Sequence, residues 1–204
     1  MMKNIVLVGG TGSGKTTLAN ALQRELPELN YVYVSKYAVR IPMTLMADGH
    51  PDLLSLSRNN YVDAIVRTHS VELRDFSRDD MLNFSYNLVR TYGRRIILDV
   101  VAPFTVDKRP NLLDNVAKAG NVEYLKTMGY YVVGLNCSLE NQVKRRFGKL
   151  ADDADCSDLE MQVHRSNEFF MVDKCLKLAD VVYDTGENRS DSPEIVKEIL
   201  QAIR

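Results

Sequence analysis

A glycine-rich loop near the start of the chain carries the clearest chemical pattern. It reads Gly-Gly-Thr-Gly-Ser-Gly-Lys-Thr from Gly9 to Thr16 and matches the spacing G-x-x-x-x-G-K-[ST]. Glycine accepts backbone conformations with positive φ, so several amide N–H groups can surround one phosphate oxygen. The lysine supplies positive charge, and the threonine hydroxyl is an oxygen ligand suited to Mg²⁺. The spacing therefore predicts a loop that binds a phosphate chain together with Mg²⁺.

We call residues 9–16 the P-loop and expect ATP and Mg²⁺ as its cofactors. Lys15 is expected to reach the β and γ phosphates and Thr16 to ligate Mg²⁺. Thr17, one residue further on, is expected to contact the α phosphate. The remaining phosphate contacts are expected from backbone amides at the start of the following helix, with the loop residues Gly9, Gly10, Thr11, Gly12, Ser13 and Gly14.

The elements around the P-loop predict an α/β fold. Five short runs rich in β-branched and aromatic residues alternate with helical stretches, which indicates buried parallel strands. The pattern predicts a three-layer P-loop NTPase fold, with a five-stranded parallel sheet, helices on both faces and a helical lid. The predicted strands are residues 4–8, 31–35, 95–100, 130–136 and 180–184.

Helix signals separate these strands. Leu18, Leu22 and Leu26 mark one helical face after the first strand. Residues 79–93 and 111–129 are predicted as helices because each ends at a glycine. The last helix is expected to begin at "SPEIVKEILQAIR", with a serine N-cap and a proline at its first position.

Asp99 lies near the end of the third predicted strand, "RIILDV". A carboxylate at the end of a buried strand beside a P-loop is the usual place for a residue that organises Mg²⁺. Asp99 is therefore the predicted magnesium residue. The alternative is an aspartate that caps the next turn.

Composition restricts the classes of partner. The 204 residues carry a net charge of −1, so charge gives no reason to expect binding to nucleic acid or an acidic membrane. No apolar run approaches the roughly 20 residues of a membrane span, and the N-terminal apolar run is too short for a signal peptide. The three cysteines match neither a disulfide framework nor a zinc pattern. We expect a cytoplasmic protein, and the sequence does not indicate its oligomeric state.

Among P-loop proteins, the sequence favours a small-molecule kinase. A GTPase would carry N-K-x-D after a later strand, where this chain has "NCSLENQ". A motor or AAA-type ATPase would usually carry two acidic residues at the end of strand three. Here Val100 and Val101 follow Asp99.

The chain resembles the nucleoside and nucleotide kinases of the P-loop superfamily. Gln142 and Arg145 match a Q-x-x-R after strand four, and Lys174 with residues 179–186 is similar to the K-x-x-x-x-A-D…G segment around the last strand. The C-terminal half is most similar to dephospho-coenzyme A kinases. The resemblance implies a mobile lid at about 144–167 and an adenine contact after strand five at residues 185–188, which include Gly186. It also implies catalytic arginines over the phosphates, Arg145, Arg146 and Arg165.

The basic run 144–146 has a second interpretation as a solvated helix face. Acceptor binding departs from the family pattern, because Lys36 or Tyr37 stands where an aspartate is common after strand two. Arg40 matches the arginine that follows. Further positive charge for an anionic acceptor is expected from Arg58, Arg67 and Arg109, or from Lys108.

These residues predict one P-loop kinase domain over 1–204, with an acceptor-binding insertion at about 36–92. The predicted activity is transfer of the γ-phosphoryl group of ATP to a small acceptor, most simply a nucleoside monophosphate, because an ionised phosphate oxygen needs no base. A nucleoside or a coenzyme A precursor is the alternative acceptor. A regulatory or chaperone-like ATPase that acts through a partner is the alternative function.

Overall fold

The computed structural model describes residues 2–50, 52–148, 156–186 and 189–204. The chain divides into two compact units. Unit 1 comprises Met1–Tyr31 and Val106–Arg204, and unit 2 comprises Val32–Thr105. The predicted insertion at about 36–92 falls within the sequence limits of unit 2. Its acceptor role stays a prediction, as does the organisation as one kinase domain.

Five strands form one sheet in the order β2-β3-β1-β4-β5. Strand β1 lies in the centre and pairs in parallel with β3 and β4, and β4 pairs in parallel with β5. Central strands of such a sheet are covered on both faces, which explains their continuous apolar sequence. The predicted five-stranded α/β fold is confirmed. The strands are β1 (Ile5–Gly9), β2 (Asn30–Tyr33), β3 (Asn111–Asp114), β4 (Tyr131–Asn136) and β5 (Val181–Asp184).

Helices of unit 1 follow the strands in the expected alternation. Leu18 and Leu22 on α1 are fully buried against the sheet strands and the last helix. At the start of α10 the Ser192 hydroxyl accepts from the Ile195 amide at 3.4 Å, so the predicted N-cap is confirmed. The helices of unit 1 are α1 (Lys15–Glu25), α6 (Ala119–Thr127), α7 (Leu139–Phe147), α8 (Cys156–Phe170), α9 (Val172–Lys177) and α10 (Pro193–Ile203).

Unit 2 is helical between the end of β2 and residue 105. Tyr61 lies at its centre, fully buried, with its ring 5.2 Å from that of Tyr92. Short π-helical and 3₁₀ turns occupy Lys36–Arg40, Leu53–Ser55 and Ala102–Phe104. The helices are α2 (Ile41–Ala47), α3 (Arg58–Arg67), α4 (Arg78–Tyr92) and α5 (Ile96–Val101).

Two predicted elements are wrong. The predicted third strand, 95–100, is helix α5, and the predicted helix 111–129 begins with strand β3 before α6. Both segments open with short apolar runs that are buried throughout, and periodicity cannot distinguish a buried strand from one turn of buried helix. As a result, the aspartate at the end of the third strand is Asp114 and not Asp99.

No helix in the part of the chain that the structure describes is both long and apolar enough to cross a membrane.

Candidate functional site

The P-loop joins β1, which ends at Gly9, to α1, which begins at Lys15. Gly12 and Gly14 have positive φ angles of 76° and 92°. A Cβ on Gly12 would lie 2.8 Å from the carbonyl oxygen of Gln142, and one on Gly14 would lie 2.4 Å from the hydroxyl of Ser190. Both positions therefore require glycine, for backbone conformation and for space.

Positive groups converge on this loop. The helix N-cap is Gly14 and no side chain caps α1, so its first amides are available to an anion. The Lys15 ammonium donates to the carbonyl oxygens of Gly9 at 2.9 Å and Gly10 at 2.8 Å. This contact folds the lysine side chain back over its own loop, where a phosphate chain would lie.

A buried carboxylate lies below the P-loop at the end of β3. Asp114 is fully buried, and its Oδ2 accepts from the Thr16 hydroxyl at 3.2 Å and the Tyr31 hydroxyl at 2.8 Å. Burial raises the pKa of the Asp114 carboxyl, while the Lys15 ammonium, the two hydroxyl donors and a backbone hydrogen bond from Asn115 act to lower it. Among the described residues, Oδ1 has no hydrogen-bond partner. One oxygen of a buried acid is therefore held by protein donors and the other is left as an acceptor.

Two hydroxyls behind the loop fix its carbonyl groups. Thr185, fully buried after β5, donates to the carbonyl oxygen of Ser13 at 2.9 Å. Ser190 donates to the carbonyl oxygen of Gly14 at 2.9 Å. Carbonyls bound in this way stay turned away from the loop interior, which suits a loop whose amides are to bind an anion.

Helix α7 reaches the same loop through Arg145. Its guanidinium donates to the carbonyl oxygens of Gly12 at 3.4 Å and Gly186 at 3.3 Å, and also to that of Thr185. The sequence placed Arg145 over the phosphates, whereas here it joins the P-loop to the chain after β5. Gly186 also accepts from Asn141 at 3.3 Å. This arrangement brings the predicted adenine segment beside the P-loop, although residues 187 and 188 of that segment lie outside the described residues.

The other two predicted lid arginines, Arg146 and Arg165, have different surroundings. The Arg146 guanidinium lies 4.6 Å from the ring centroid of Phe147. Arg165 is exposed on α8, and in the described ranges no hydrogen bond or ion pair joins it to the P-loop. Residues 149–155 of the predicted lid lie outside the described residues. Closure of 144–167 over bound phosphates stays a prediction.

Asp99 lies in unit 2, where helix α5 presents it to Arg58. The Arg58 Nε donates to Asp99 Oδ2 at 2.7 Å, and the Nη2 contacts the same oxygen. The expectation that Asp99 ends strand three is wrong, because the sheet strand is β3. Its carboxylate instead pairs with a predicted acceptor arginine.

That ion pair borders a pocket of 420 Å³ within unit 2. Its polar lining is Arg58, Asn59, Asp63 and Asp99, and Val62 and Pro103 are among its apolar lining residues. Such a mixture of charge and apolar surface suits a small polar ligand.

The remaining predicted acceptor arginines have different surroundings. Arg40 donates to Asp75 Oδ1 at 3.1 Å within unit 2, and Arg67 is exposed at the end of α3. Arg109 is exposed two residues before β3. With strand three predicted at 95–100, Arg109 would follow the carboxyl end of that strand. That placement is wrong, because Arg109 precedes β3 and lies at the amino end of the strand, opposite Asp114.

Three site residues were not predicted from the sequence: Asp114, Tyr31 and Ser190. Thr185 was predicted only as an adenine contact, and its hydroxyl bond to the P-loop carbonyl of Ser13 was not foreseen. A signal for Asp114 was available in "PNLLDN", a short apolar run that follows a proline and ends in an acid. In the described part of the chain, no cluster of three or more histidine, cysteine or acidic residues could hold a metal ion.

The chain was compared with protein-family models, curated proteins and solved structures. A family model described as an AAA domain matches residues 4–92, less than half of the chain, and no curated protein matches the sequence. Shikimate kinase from Acinetobacter baumannii, solved in complex with shikimate, is 17% identical with a TM-score of 0.55, covering 100% of this chain and 93% of that chain.

Two other solved structures match over 100% of this chain and 100% of their own chains. TT1252 from Thermus thermophilus is 15% identical with a TM-score of 0.54, and a putative kinase from Chloroflexus aurantiacus is 15% identical with a TM-score of 0.52. Together with the P-loop and the order of the strands, these likenesses show that the chain has the fold of P-loop kinases.

Proposed function

We propose that this protein transfers the γ-phosphoryl group of ATP to a small anionic acceptor, with a nucleoside monophosphate as the favoured class. The observation that carries the proposal is the contact between Thr16 and Asp114 beneath the P-loop. It joins the two protein oxygens that a P-loop enzyme uses to organise Mg²⁺. The likeness in fold to kinases supports the same conclusion.

The residues present fit a magnesium ion bound together with a nucleotide. Thr16 and Asp114 offer only oxygen atoms, which is the ligand type that Mg²⁺ prefers. The free Oδ1 of the buried Asp114 is an acceptor in need of a partner. In this proposal Asp114 takes the magnesium role that the sequence assigned to Asp99. The ion would neutralise charge on the β and γ phosphates.

Phosphoryl transfer at this site depends on positioning and positive charge. A bond forms between an acceptor oxygen and the γ-phosphorus, the bond to the bridging oxygen breaks, and ADP leaves. The Lys15 ammonium, released from the carbonyls of Gly9 and Gly10, would bind the β and γ phosphates. Arg146 and Arg165 are proposed to add charge when the lid closes, because guanidinium groups bind phosphate oxygens in pairs.

The acceptor is proposed to bind through unit 2. The carboxylate partner of Arg40, Asp75, is fully exposed, so their ion pair contributes little and a ligand can displace it. Arg58 lines the 420 Å³ pocket beside Asp99. Forked donors on both arginines suit a phosphate or carboxylate better than a neutral hydroxyl. An ionised phosphate oxygen can attack without a general base.

A slow ATPase that acts through a protein partner is the second candidate, and the match of residues 4–92 to an AAA domain favours it. The sequence at the end of β3 argues against an ATPase of this kind. Asp114 is followed by Asn115, not by the second acidic residue usual in such ATPases. Both candidates use the same P-loop, so only the fate of the phosphoryl group distinguishes them.

Incubation with ATP labelled on the γ-phosphate tests the proposal directly. Nucleoside monophosphates, nucleosides and carboxylated alcohols would each be offered, and the label would be traced to acceptor or to inorganic phosphate. We expect label in a nucleoside diphosphate. The variant Lys15→Ala should abolish this transfer, while Lys197→Ala, an exposed lysine on α10, should leave it unchanged.

Label only in inorganic phosphate, with every acceptor, would contradict the kinase proposal and favour the ATPase. Label in an uncharged nucleoside would overturn the anionic acceptor and keep the kinase. Transfer that survives in Lys15→Ala would mean that the P-loop is not the site of the reaction.

A further inference from the structure

Tyr31 and Thr16 donate to the same oxygen of Asp114. The Tyr31 hydroxyl lies 2.8 Å from Oδ2 and the Thr16 hydroxyl lies 3.2 Å from it, whereas Oδ1 has no hydrogen-bond partner among the described residues. Together with a backbone contact from Asn115, these two donors hold the carboxylate in one orientation. The asymmetry is notable because the residue is fully buried, so water does not compete for Oδ2.

We propose that Tyr31 is a positioning residue for magnesium binding, because its hydroxyl fixes Asp114 so that Oδ1 is directed to the ion or its water. This inference rests on the proposed function. Tyr31 is not expected to touch ATP or the ion itself. It acts through the carboxylate, as outer partners of metal-binding side chains commonly do.

The position of Tyr31 in the fold suits this role. It belongs to β2, which neighbours β3 in the sheet, and Asp114 is the last residue of β3. The ring packs against the core cluster that also contains Leu18, Leu112 and Leu135. Packing on a rigid core restricts the ring, so the hydroxyl is delivered to Oδ2 at a fixed distance.

A purely structural role for Tyr31 would give a different experimental result. If its hydroxyl only satisfies a buried acid, its removal would lower the melting temperature and leave magnesium binding unchanged. If it orients Asp114, the variant would need more Mg²⁺ to reach the same nucleotide affinity. The two roles therefore separate in a binding measurement, without any assay of turnover.

The chain offers a matched control for Tyr31→Phe. Tyr183 lies on β5, packs against the same core cluster, and donates to a carboxylate oxygen of Glu198 at 3.0 Å. Tyr183→Phe removes the same hydroxyl from the same kind of contact, away from Asp114. Phenylalanine keeps the ring in both variants, so the fold is expected to persist, which circular dichroism would verify.

Binding of a fluorescent ATP analogue would be measured in EDTA and across a titration with MgCl₂. We expect Tyr31→Phe to raise the Mg²⁺ concentration for half-maximal binding roughly tenfold, the size of one lost hydrogen bond to a charged group. Binding in EDTA should match the parent protein. Tyr183→Phe should follow the parent under both conditions.

A magnesium dependence in Tyr31→Phe equal to the parent's would overturn the inference while leaving the proposed function intact. The double variant Tyr31→Phe/Asp114→Asn provides a second measurement. It should need no more Mg²⁺ than Asp114→Asn alone, because Tyr31 acts only through Asp114, and additive losses would refute that route. Absence of magnesium-dependent binding in the parent would instead overturn the proposed function.

Discussion

The hydroxyl of Thr16 lies 3.2 Å from the carboxylate of Asp114, although 98 positions separate the two residues in the chain. Thr16 is in the first turn of α1, directly after the P-loop, and Asp114 is the last residue of β3. They meet because β3 pairs in parallel with β1, so the carboxyl ends of both strands lie at one edge of the sheet.

Asp114→Asn should therefore damage the magnesium-dependent step, and Asp99→Asn should not. The amide cannot supply the negative charge that the ion requires. We expect Asp114→Asn to reduce magnesium-dependent turnover by at least roughly 10–100-fold. The measurement is the rate of ADP release as a function of MgCl₂ for both variants. A larger effect of Asp99→Asn on this dependence would return the magnesium role to Asp99.

The contrast between these aspartates shows how far the sequence could predict the site. The P-loop was identified because its function requires glycine, lysine and threonine at fixed spacing within a few residues. Strand three was misplaced because "RIILD" and "NLLD" are both short apolar runs that end in aspartate. Local sequence carries no information on which run pairs with β1, since that choice depends on the whole sheet.

Contacts between distant segments were likewise beyond a local prediction. Strand tyrosines are usually packing residues, and nothing in "LNYVY" indicates that the hydroxyl of Tyr31 meets Asp114. Thr185 and Ser190 lie in a polar turn after β5, where hydroxyls are common. The role of Arg145 over the phosphates stays a prediction, and its carbonyl partners at the P-loop and after β5 depend on the tertiary structure.

Removal of the hydroxyls behind the P-loop should weaken nucleotide binding. Thr185→Val and Ser190→Ala each delete a donor to a loop carbonyl, at Ser13 and Gly14. We expect each to raise the dissociation constant of an ATP analogue about 2–10-fold, because one neutral hydrogen bond contributes roughly 0.5–1.5 kcal/mol. Isothermal titration calorimetry would measure it.

The control for these variants is Thr127→Val, which removes a hydroxyl that donates to a carbonyl within α6. Its affinity for the analogue should equal that of the parent. If all three variants bind equally well, the P-loop holds its shape without the two hydroxyls.

The buried thiol of Cys175 should give a pH dependence of stability. Burial raises its pKa to about 11, from a usual value of 9.0. The unfolded chain then loses this proton more readily than the folded chain, so the contribution of Cys175 to stability falls as pH rises from 9 to 11. Below pH 9 the thiol is neutral in both states and contributes no slope.

Urea unfolding at pH 8 and pH 10 would test this expectation. The free energy of unfolding should fall less between these two pH values in Cys175→Ala than in the parent, because the variant lacks the thiol that titrates differently in the two states. The tyrosines titrate in both proteins, so some decrease is expected in each. Equal pH slopes would mean that the Cys175 thiol does not titrate differently in the folded and unfolded states.

The acceptor arginines can be ranked by their surroundings in unit 2. Arg58 lines the 420 Å³ pocket and is held by Asp99, whereas Arg67 is exposed at the end of the same helix. Arg40 pairs with the carboxylate of the fully exposed Asp75. A guanidinium fixed by a partner loses less side-chain entropy when a ligand binds. This favours Arg58, which Asp99 holds in place. Arg40 is favoured for a different reason, because a ligand can displace its weak ion pair, and we expect these two arginines, but not Arg67, to bind the acceptor.

Acceptor kinetics of the three alanine variants decide between them. Arg40→Ala and Arg58→Ala should each lower kcat/KM for the acceptor roughly 10–100-fold, the loss of a charged hydrogen bond, with the dissociation constant of ATP unchanged. Arg67→Ala shares the helix and the chemical change of Arg58→Ala and serves as its control. The variant Asp99→Asn should weaken acceptor binding less than Arg58→Ala, because Asp99 only orients the guanidinium. A loss confined to Arg67→Ala, or a parent-like acceptor kcat/KM in both Arg40→Ala and Arg58→Ala, would place the acceptor elsewhere.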